Sequence, residues 1–530
     1  MLYFILSLIP FLFLTILKTK KSFHMLQQNW YNDSERYFKW LLKNPYKTFI
    51  TVDMFFVIFI TGLFIDSNLF MIIYAVINLY FMYSYRKSMK KEQSKKPLVF
   101  TKRVRRLTYT TVALYLVLIL GILYGYKVEE IAYYYLILGL ITYLNYFVIM
   151  ASNFINKPWE KQVYYYYLRK AKKKLRDMKN LKVVGITGSY GKTSSKNILS
   201  DILNTKYDAM PTPKNFNTTY GLMITINNNL DKFTEYFIAE MGAFKRGEIK
   251  ELCDFVHPKY GILTTIGTAH LESFGSRENI QKGKFELIES LPSDGIGILN
   301  RDDEYQVSYK LKNNCKIYWI GIDNEEADIY ATNIKQNETG MTFDCFFKEL
   351  NTKHSFETRL LGRANIYNIL AGIMLGYKLG IKVDELKLGV SKVKTIEHRL
   401  ELKKYAGINI IDDAYNSNPV GAKMALEVLN LMPGDKIVVT PGMIELADKE
   451  YEYNFEFGKQ IADVADHVIL VGKNQTKAIY EGLINKDYKE KNIHIINDVK
   501  EAFNIMKELH KKETYVLLEN DLPDIFNEKK

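Results

Sequence analysis

The pattern of hydrophobic and polar positions along this chain divides it into two regions, with the boundary near residue 180. Before residue 152, five apolar stretches contain no Lys or Arg; they lie at roughly 1–17, 48–65, 68–83, 108–125 and 131–151. Their lengths approach the roughly 17–25 residues that a helix needs to cross a bilayer. After residue 180, short apolar runs alternate with amphipathic segments, which is typical of buried parallel strands separated by helices. The pattern predicts an all-α multi-helix transmembrane region of about five helices over 1–151, followed by α/β domains.

Charge separates the same two regions. Residues 1–180 carry 27 Lys and Arg against 9 Asp and Glu, whereas the remaining 350 residues carry 45 against 50. Before residue 152, all basic residues except Lys127 lie in the gaps 18–47 and 84–107, which the positive-inside rule assigns to the cytoplasm. We therefore expect a multi-pass protein of the cell membrane, with its N-terminus outside and everything after residue 151 in the cytoplasm. Asp53, inside the second stretch, is expected to snorkel or to cap a helix.

Residues 152–180 are basic and aromatic, with Tyr164–Tyr167 followed by Arg169, Lys170 and Lys172–Lys174. This composition predicts a basic interfacial linker, a helix that lies on anionic membrane lipids, and a solvated linker helix fits the same pattern. No nucleic-acid-binding motif accompanies the basic charge, so we expect no nucleic-acid partner. The three cysteines are isolated from one another, which indicates neither a zinc ribbon nor a disulfide framework.

Two series of short apolar runs predict two α/β domains, at 181–396 and 397–530. The first series predicts strands at Val183–Thr187, Tyr236–Glu240, Tyr260–Thr265 and Gly295–Asn300 in a doubly wound, mostly parallel sheet. Residues 327–361 alternate more regularly and predict an added antiparallel piece. The second series predicts strands at Ile408–Ile411, Lys436–Thr440, His467–Val471 and Tyr515–Leu518.

The segment Val184-Gly-Ile-Thr-Gly-Ser-Tyr-Gly-Lys-Thr-Ser-Ser195 leads from the first of these strands into a helix. Such a turn presents backbone N–H groups and a helix N-terminus to a phosphate, while Lys192 adds a charge and the Thr193 hydroxyl can bind Mg²⁺. The general pattern G-x-x-x-x-G-K-[ST] is not met, because Ile186 replaces its first glycine. The shorter form T-G-S-x-G-K-T-S is met. The candidate phosphate ligands are Gly188, Ser189, Gly191, Lys192, Thr193 and Ser194.

Two further side chains follow strands of the same predicted sheet. Glu240 ends the predicted strand Tyr236–Glu240, where a carboxylate near the phosphate turn would hold Mg²⁺. His270 follows the next strand and could bind a second metal ion or a substrate oxygen. The metal candidates are therefore Thr193, Glu240 and His270, and the same glutamate and histidine join Lys192 as catalytic candidates.

These motifs, together with I-G-x-x-H-L-E-x-F-G-S around His270, resemble the Mur ligase family, the ATP-dependent amide ligases of cell-wall assembly, and most closely its MurF type. The resemblance runs from about 181 to 520. It implies a P-loop central domain that binds ATP and Mg²⁺, and a C-terminal Rossmann-like domain that closes over the nucleotide. It also implies that Lys284, in a K-x-E-[IL] segment, is carbamylated and catalytic.

The resemblance assigns further residues to ligands. Asn300 would contact adenine, and Asn365, Asn368, Arg399 and Asp413 would complete the nucleotide site. Ala364 replaces the histidine usual in G-x-H-N-x-x-N, so one nucleotide contact is missing. The implied substrate residues are Asn215, Asn217, Thr218, Tyr415, Asn416 and Asn418.

The reaction implied is the activation of a carboxylate by ATP as an acyl phosphate, which an amine then attacks to give an amide, ADP and phosphate. MurF-type enzymes add D-alanyl-D-alanine to a UDP-linked muramoyl tripeptide. Here the membrane region stands where they carry a UDP-sugar domain. The acceptor is therefore either that soluble muramoyl peptide or a lipid-linked precursor or other peptide polymer, and the added group an amino acid or a dipeptide. A non-catalytic nucleotide-binding membrane scaffold is the third alternative, and the oligomeric state stays open.

Overall fold

The computed structural model describes residues 2–91, 97–124, 131–405, 407–415, 417–444, 446, 449–497, 499–511 and 513–521. The chain forms two compact units, Met1–Tyr166 and Tyr167–Lys530. The first unit is helical, and the second contains two β-sheets with helices packed on them. Residues 125–130, between the fourth and fifth apolar stretches, and residues 92–96 of the second basic gap lie outside the described residues.

All five apolar stretches are helical where they are described. The α-helices of this part of the chain are α1 (Leu2–Gln28), α2 (Phe38–Lys43), α3 (Pro45–Thr48), α4 (Ser67–Lys91), α5 (Lys102–Tyr124), α6 (Ile131–Tyr143) and α7 (Asn145–Asp177). A π-helical turn spans Asp33–Tyr37, and a 3₁₀ helix spans Val52–Phe64. Residues 152–177 continue the helix that begins at Asn145, so the segment predicted as a separate linker belongs to α7.

Fewer helices than predicted are long and apolar enough to cross a membrane. Among the described residues, Ser67–Met89 and Lys102–Gly121 qualify, and α6 and α7, bent by 69° at their junction, qualify together as a third span. The 3₁₀ helix is apolar but has only 13 residues. The structure therefore provides two or three candidate spans where the sequence predicted about five.

A buried ion pair organises the polar interior of the helical unit. Lys18 pairs with Asp53, and both side chains are almost fully buried. Lys18 Nζ also donates to the carbonyl of Tyr143 at 3.2 Å, where α6 ends and leaves carbonyl groups without helical partners. Thr51 Oγ1 donates to the other Asp53 oxygen at 2.6 Å. Asp53 lies in the first turn of the 3₁₀ helix and does not snorkel, because it has a buried cationic partner.

The first sheet of the second unit has the strand order β2-β3-β1-β4-β5-β6-β7-β8-β9. Strands β2 to β7 run parallel, and β7, β8 and β9 form antiparallel pairs, which confirms the added antiparallel piece. The strands are β1 (Lys182–Thr187), β2 (Ala209–Pro211), β3 (Tyr236–Glu240), β4 (Tyr260–Leu263), β5 (Ile296–Asn300), β6 (Lys316–Gly321), β7 (Ile329–Asn337), β8 (Gly340–Phe347) and β9 (Thr352–Thr358).

Helices cover this sheet and bury its apolar side chains. The central strand β1 is fully buried apart from its first residue, as expected for a parallel strand between two helical layers. Val184 and Ile186 on β1 share a core with Ile198 and Ile202 of α8. The helices are α8 (Lys192–Leu203), α9 (Thr219–Asn228), α10 (Glu248–Val256), α11 (Leu271–Phe274), α12 (Arg277–Glu289), α13 (Glu304–Val307), α14 (Arg363–Lys378) and α15 (Val383–Ser391).

The second sheet has the order β10-β11-β15-β12-β13-β14, in which only the β10–β11 pair is antiparallel. Its elements are β10 (Glu401–Tyr405), β11 (Ile408–Asp413), α16 (Pro419–Asn430), β12 (Asp435–Thr440), α17 (Glu450–Ala462), β13 (His467–Val471), α18 (Lys477–Asn485), a 3₁₀ turn (Glu490–Asn492), β14 (Ile493–Ile496), α19 (Val499–Leu509) and β15 (Thr514–Glu519). All four predicted strands are present. Strand β15, the last in sequence, lies between β11 and β12, so the carboxyl ends of these three parallel strands lie side by side.

Candidate functional site

The predicted phosphate turn lies at the carboxyl end of β1. Gly188 has φ +152°, and a Cβ added there would lie 1.9 Å from Thr264 Oγ1. Gly191 has φ +80° and forms the N-cap of α8. Only glycine adopts these conformations without strain. The two residues turn the chain directly from the strand into the helix, an arrangement in which loop and helix N–H groups can surround a phosphate.

Lys192 lies inside this turn. Its Nζ donates to the carbonyl oxygens of Gly188 and Ser189 at 2.8 and 3.0 Å. Burial lowers the pKa of Lys192 to about 8; the Glu240 carboxylate opposes this shift and the Arg399 guanidinium adds to it. A negatively charged phosphate would stabilise the ammonium form, so the site favours an anion. Ser194 follows in the first turn of α8 and is buried.

Glu240 is the centre of a buried polar cluster at the end of β3. Its side chain is 1% exposed, and its Oε2 accepts from Thr193 Oγ1 at 3.0 Å. Asn217 Nδ2 donates to Oε1 at 3.1 Å. Lys196 Nζ, equally buried, forms an ion pair with Oε2 at 3.0 Å and donates to the carbonyl of Lys214. The predicted pair Thr193 and Glu240 is brought together, whereas Lys196 was not predicted.

The cluster fits Mg²⁺, which prefers a hydroxyl and a carboxylate oxygen together with phosphate oxygens and water. Within the described part of the chain, no group of three or more His, Cys, Asp or Glu could hold a metal ion by itself.

The other predicted residues of the substrate-side loop have different surroundings. Thr218 forms the N-cap of α9 and accepts from the Gly221 N–H at 3.3 Å. Asn215 is exposed. Asn217 therefore contacts the metal candidate Glu240, Thr218 orients the following helix, and Asn215 lies at the surface.

His270 and Lys284 form the second part of the site. His270 has φ +60°, and its ring lies 4.4 Å from that of Phe244. Burial lowers the pKa of His270 to about 4, and the charges of Lys192 and Lys284 contribute. Burial, followed by the charge of Lys192, lowers the pKa of Lys284 well below its usual value. Lys284 Nζ lies 5.4 Å from the centre of the Phe274 ring, and the described residues offer it no carboxylate within ion-pair distance. The imidazole is thus a neutral ligand or base at neutral pH, and the lysine is a buried amine.

The predicted adenine side comes together around α14. Asn368 lies so close to the phosphate turn that a Cβ on Gly191 would be 3.1 Å from Asn368 Oδ1. Asn365 Nδ2 donates to the carbonyl of Leu361 at 2.8 Å. Tyr367 from the same helix donates to Asp302 Oδ2 at 2.8 Å.

The N-x-D-D segment after β5 is ordered by its own side chains. The N–H of Asp302 donates to Asn300 Oδ1 at 3.0 Å. The guanidinium of Arg301 lies 5.1 Å from the centre of the Trp319 ring, and Trp319 pairs in register with Leu299 on β5. Asn300 is thus fixed in a turn beside the helix that carries Asn365 and Asn368.

The second domain contributes Arg399 and the loop after β11. The Arg399 guanidinium lies 4.3 Å from the centre of the Tyr415 ring, and no ion pair to it is formed by the described residues. Burial raises the pKa of Asp413 to about 6, although Arg399 acts in the opposite direction. Asn418 forms the N-cap of α16 and accepts from the Gly421 N–H at 2.9 Å. The predicted substrate residue Asn416 lies outside the described residues.

The two domains also meet beside the phosphate turn. Tyr190, in the turn, lies against Thr268 with its hydroxyl 3.1 Å from Thr268 Oγ1. Arg277 donates to the Tyr305 hydroxyl at 2.9 Å. Tyr305 and, to a smaller extent, the nearby Tyr453 of α17 in the second domain raise the pKa of Arg277, so the second domain lies close to the first where the nucleotide site begins.

Comparison with known proteins follows the same division. Residues 186–376 match the model of the Mur ligase middle domain. Residues 398–519 match that of the Mur ligase glutamate ligase domain.

Individual relatives agree with these matches. The UDP-N-acetylmuramoyl-tripeptide--D-alanyl-D-alanine ligase of Bacillus subtilis is 32% identical over 341 residues, which cover 63% of this chain and 72% of that protein. The enzyme of the same name from Escherichia coli is 31% identical over 304 residues, which cover 56% of this chain and 66% of that protein. The crystal structure of MurF ligase from Thermotoga maritima in complex with ADP superposes with a TM-score of 0.61 at 26% identity, covering 68% of this chain and 81% of that one. The crystal structure of MurF from Acinetobacter baumannii superposes with a TM-score of 0.61 at 25% identity, covering 67% of this chain and 77% of that one.

Proposed function

The chain belongs to the Mur ligase family and is an ATP-dependent ligase that forms ADP and phosphate, and we propose that it adds D-alanyl-D-alanine to a peptidoglycan precursor peptide. The contact of Thr193 with Glu240 beside the turn that encloses Lys192 carries the proposal, because it combines a phosphate cradle with a metal ligand. The identity to ligases named for this dipeptide supports the choice of substrate.

The residues divide the chemistry between nucleotide and acyl group. Thr193 and Glu240 would hold Mg²⁺, and ATP bound there would supply the phosphoryl group that activates the substrate carboxylate. Lys192 and Arg399 provide positive charge where negative charge develops on the phosphoryl oxygens. Closure of the second domain over the nucleotide would exclude water, so that the amine reaches the acyl phosphate first.

Carbamylation of Lys284 would complete the site. Without modification, Lys284 provides no negative charge beside His270, which also lies near the charge of Lys192. A carbamate on Lys284 would add an anion there and allow His270 to hold a second metal ion. Burial, followed by the charge of Lys192, lowers the pKa of Lys284, which favours the unprotonated amine, the form that reacts with carbon dioxide.

The helical unit is proposed to anchor the ligase to the cell membrane as a multi-pass region, with the ligase domains in the cytoplasm. The two or three helices long and apolar enough to span support this part, as does the excess of Lys and Arg before residue 180. The basic, aromatic part of α7 would then contact anionic lipids. Retention in the membrane fraction after an alkaline carbonate wash is the expected result, and release would contradict it.

The test is phosphate release and amide formation by the purified protein in detergent. D-alanyl-D-alanine is supplied with either UDP-muramoyl tripeptide or its lipid-linked counterpart. We expect Lys192→Ala to abolish turnover and Lys312→Ala, which changes an exposed lysine of the same domain, to leave it unchanged. Turnover with the UDP substrate supports the proposal. Turnover only with the lipid-linked acceptor would show that this precursor, and not the UDP-linked peptide, is the substrate. If the protein binds ATP but turns over neither acceptor, the proposal is refuted in favour of the scaffold alternative.

A further inference from the structure

Glu519 is a fully buried carboxyl group at the carboxyl edge of the second sheet. It ends β15, which lies between β11 and β12, and it pairs in register with Asp413 on β11. Ligands of open α/β sheets bind outside the carboxyl ends of the strands. Glu519 was missed from the sequence and has no part in the reaction proposed above.

Its hydrogen bonds support the loop that carries the substrate candidates. Ser417 Oγ donates to Glu519 Oε1 at 2.6 Å. The next residue, Asn520, accepts from the Ser417 N–H at 3.2 Å and donates to the carbonyl of Gly442 at 2.6 Å. The end of β15 therefore ties together the loops that follow β11 and β12.

The same loops hold Arg399 from two sides. Tyr415, two residues before Ser417, lies against the Arg399 guanidinium, and the N–H of Leu400 donates to Asp413 Oδ1 at 3.2 Å. Ser417 therefore lies two residues from the aromatic ring that contacts Arg399.

The charges around Glu519 are those of Asp413 and Arg399. Burial, and then the negative charge of Asp413, raise the pKa of Glu519 well above its usual range, while Ser417 and Arg399 act against the rise. Asp412 also raises the pKa of Asp413. A protonated Glu519 leaves the positive charge of Arg399 available to an anionic ligand. Its second oxygen, Oε2, has no hydrogen-bond partner among the described residues.

We propose that Glu519 is a positioning residue of the ligation reaction, which fixes Ser417 close in sequence to Tyr415, the residue that lies against the guanidinium of Arg399. This inference rests on the proposed function. It adds that ligation requires Glu519 for the oxygen that accepts the hydrogen bond of Ser417. Ligation does not require a negative charge on Glu519.

The experiment compares Glu519→Gln, which retains an acceptor for Ser417, with Glu519→Leu, which has similar volume and no acceptor. We expect Glu519→Leu to lower kcat by about tenfold or more, with the KM for ATP within about threefold of wild type. Glu519→Gln should restore kcat to within about threefold at pH 7. Asp435→Asn, at the amino edge of the same sheet and paired with Lys511, is the control and should match the wild type.

Ser417→Ala tests the same contact without touching the buried carboxyl group, and so remains informative if Glu519→Leu does not fold. It should reproduce the loss in kcat, and the double variant with Glu519→Leu should lose no more than either single variant. The inference would be overturned if Glu519→Gln and Glu519→Leu lowered kcat equally, or if Ser417→Ala kept the kcat of the wild type. An inactive wild type would instead refute the proposed function, which keeps the two failures apart.

Discussion

Replacing Glu240 by Gln should destabilise the first ligase domain as well as stop the reaction. Glu240 and Lys196 are each 1% exposed and lie 3.0 Å apart. Glu240→Gln leaves the Lys196 ammonium buried without its counter-ion, and breaking a buried pair in this way costs about 3–5 kcal/mol. In a domain of this size each kcal/mol lowers Tm by about 2–4 °C, so we expect a decrease of about 6–20 °C.

Denaturant unfolding followed by circular dichroism measures this change, and a double-mutant cycle isolates the pair. Lys196→Met should cost less, about 1–3 kcal/mol, because Thr193 and Asn217 still donate to Glu240. The double variant should be more stable than the sum of the two losses predicts, with a coupling energy of about 2–3 kcal/mol. Asp254→Asn, which breaks an exposed pair with Lys250, is the control and should leave Tm unchanged.

Two results would refute this reasoning. Wild-type stability in Glu240→Gln would mean that Lys196 is solvated or neutral where the structure buries it beside a carboxylate. A coupling energy near zero would mean that the two side chains do not interact. If Glu240→Gln lost ATP hydrolysis but unfolded like the wild type, Glu240 would have a role in metal binding and none in stabilising the domain.

Three other changes have expected outcomes of their own. Gly188→Ala places a methyl group 1.9 Å from Thr264 Oγ1 and should abolish ADP binding measured by calorimetry; wild-type affinity would contradict the geometry of the turn. Since the pKa of His270 is lowered to about 4, the folded protein binds fewer protons there than the unfolded chain, so stability should fall as the pH drops from about 6.5 to about 4. His270→Asn should flatten that part of the unfolding profile, and an unchanged slope would argue against a buried neutral imidazole. Asp53→Asn should lower the Tm of the helical unit in detergent by leaving Lys18 buried without its partner, and Asp53→Asn with Lys18→Met should lose less; equal losses would show that the ion pair is not formed.

The strands that the sequence predicts are those buried on both faces. Tyr236–Glu240 and His467–Val471 match the structure at both ends, because an unbroken apolar run has a clear beginning and end. Strand β10, Glu401–Tyr405, was missed because it lies at a sheet edge and carries charged side chains. Strand β2 has only three residues and ends in proline, so its sequence has no apolar periodicity.

The site residues divide in the same way: some can be predicted from the local sequence, and others only from the folded structure. Glu240 could be predicted because a carboxylate at the end of a buried strand is unusual in sequence. Lys196 could not, since a lysine on an amphipathic helix looks the same whether it faces water or a buried carboxylate. Glu519 has the same signal as Glu240, a carboxylate closing an apolar strand, but its neighbours Ser417 and Asp413 lie about a hundred residues earlier in the chain. Only the order of the strands brings them together.

The contact between Arg301 and Trp319 provides an optical readout of nucleotide binding. The chain has four tryptophans, and Trp319 is the only one after residue 180. It pairs with β5, whose last residue is the proposed adenine contact Asn300. Replacing Trp30, Trp40 and Trp159 by Phe would leave a single fluorophore one strand away from the bound base. The emission of that fluorophore would then report nucleotide arrival and departure in real time, without any label.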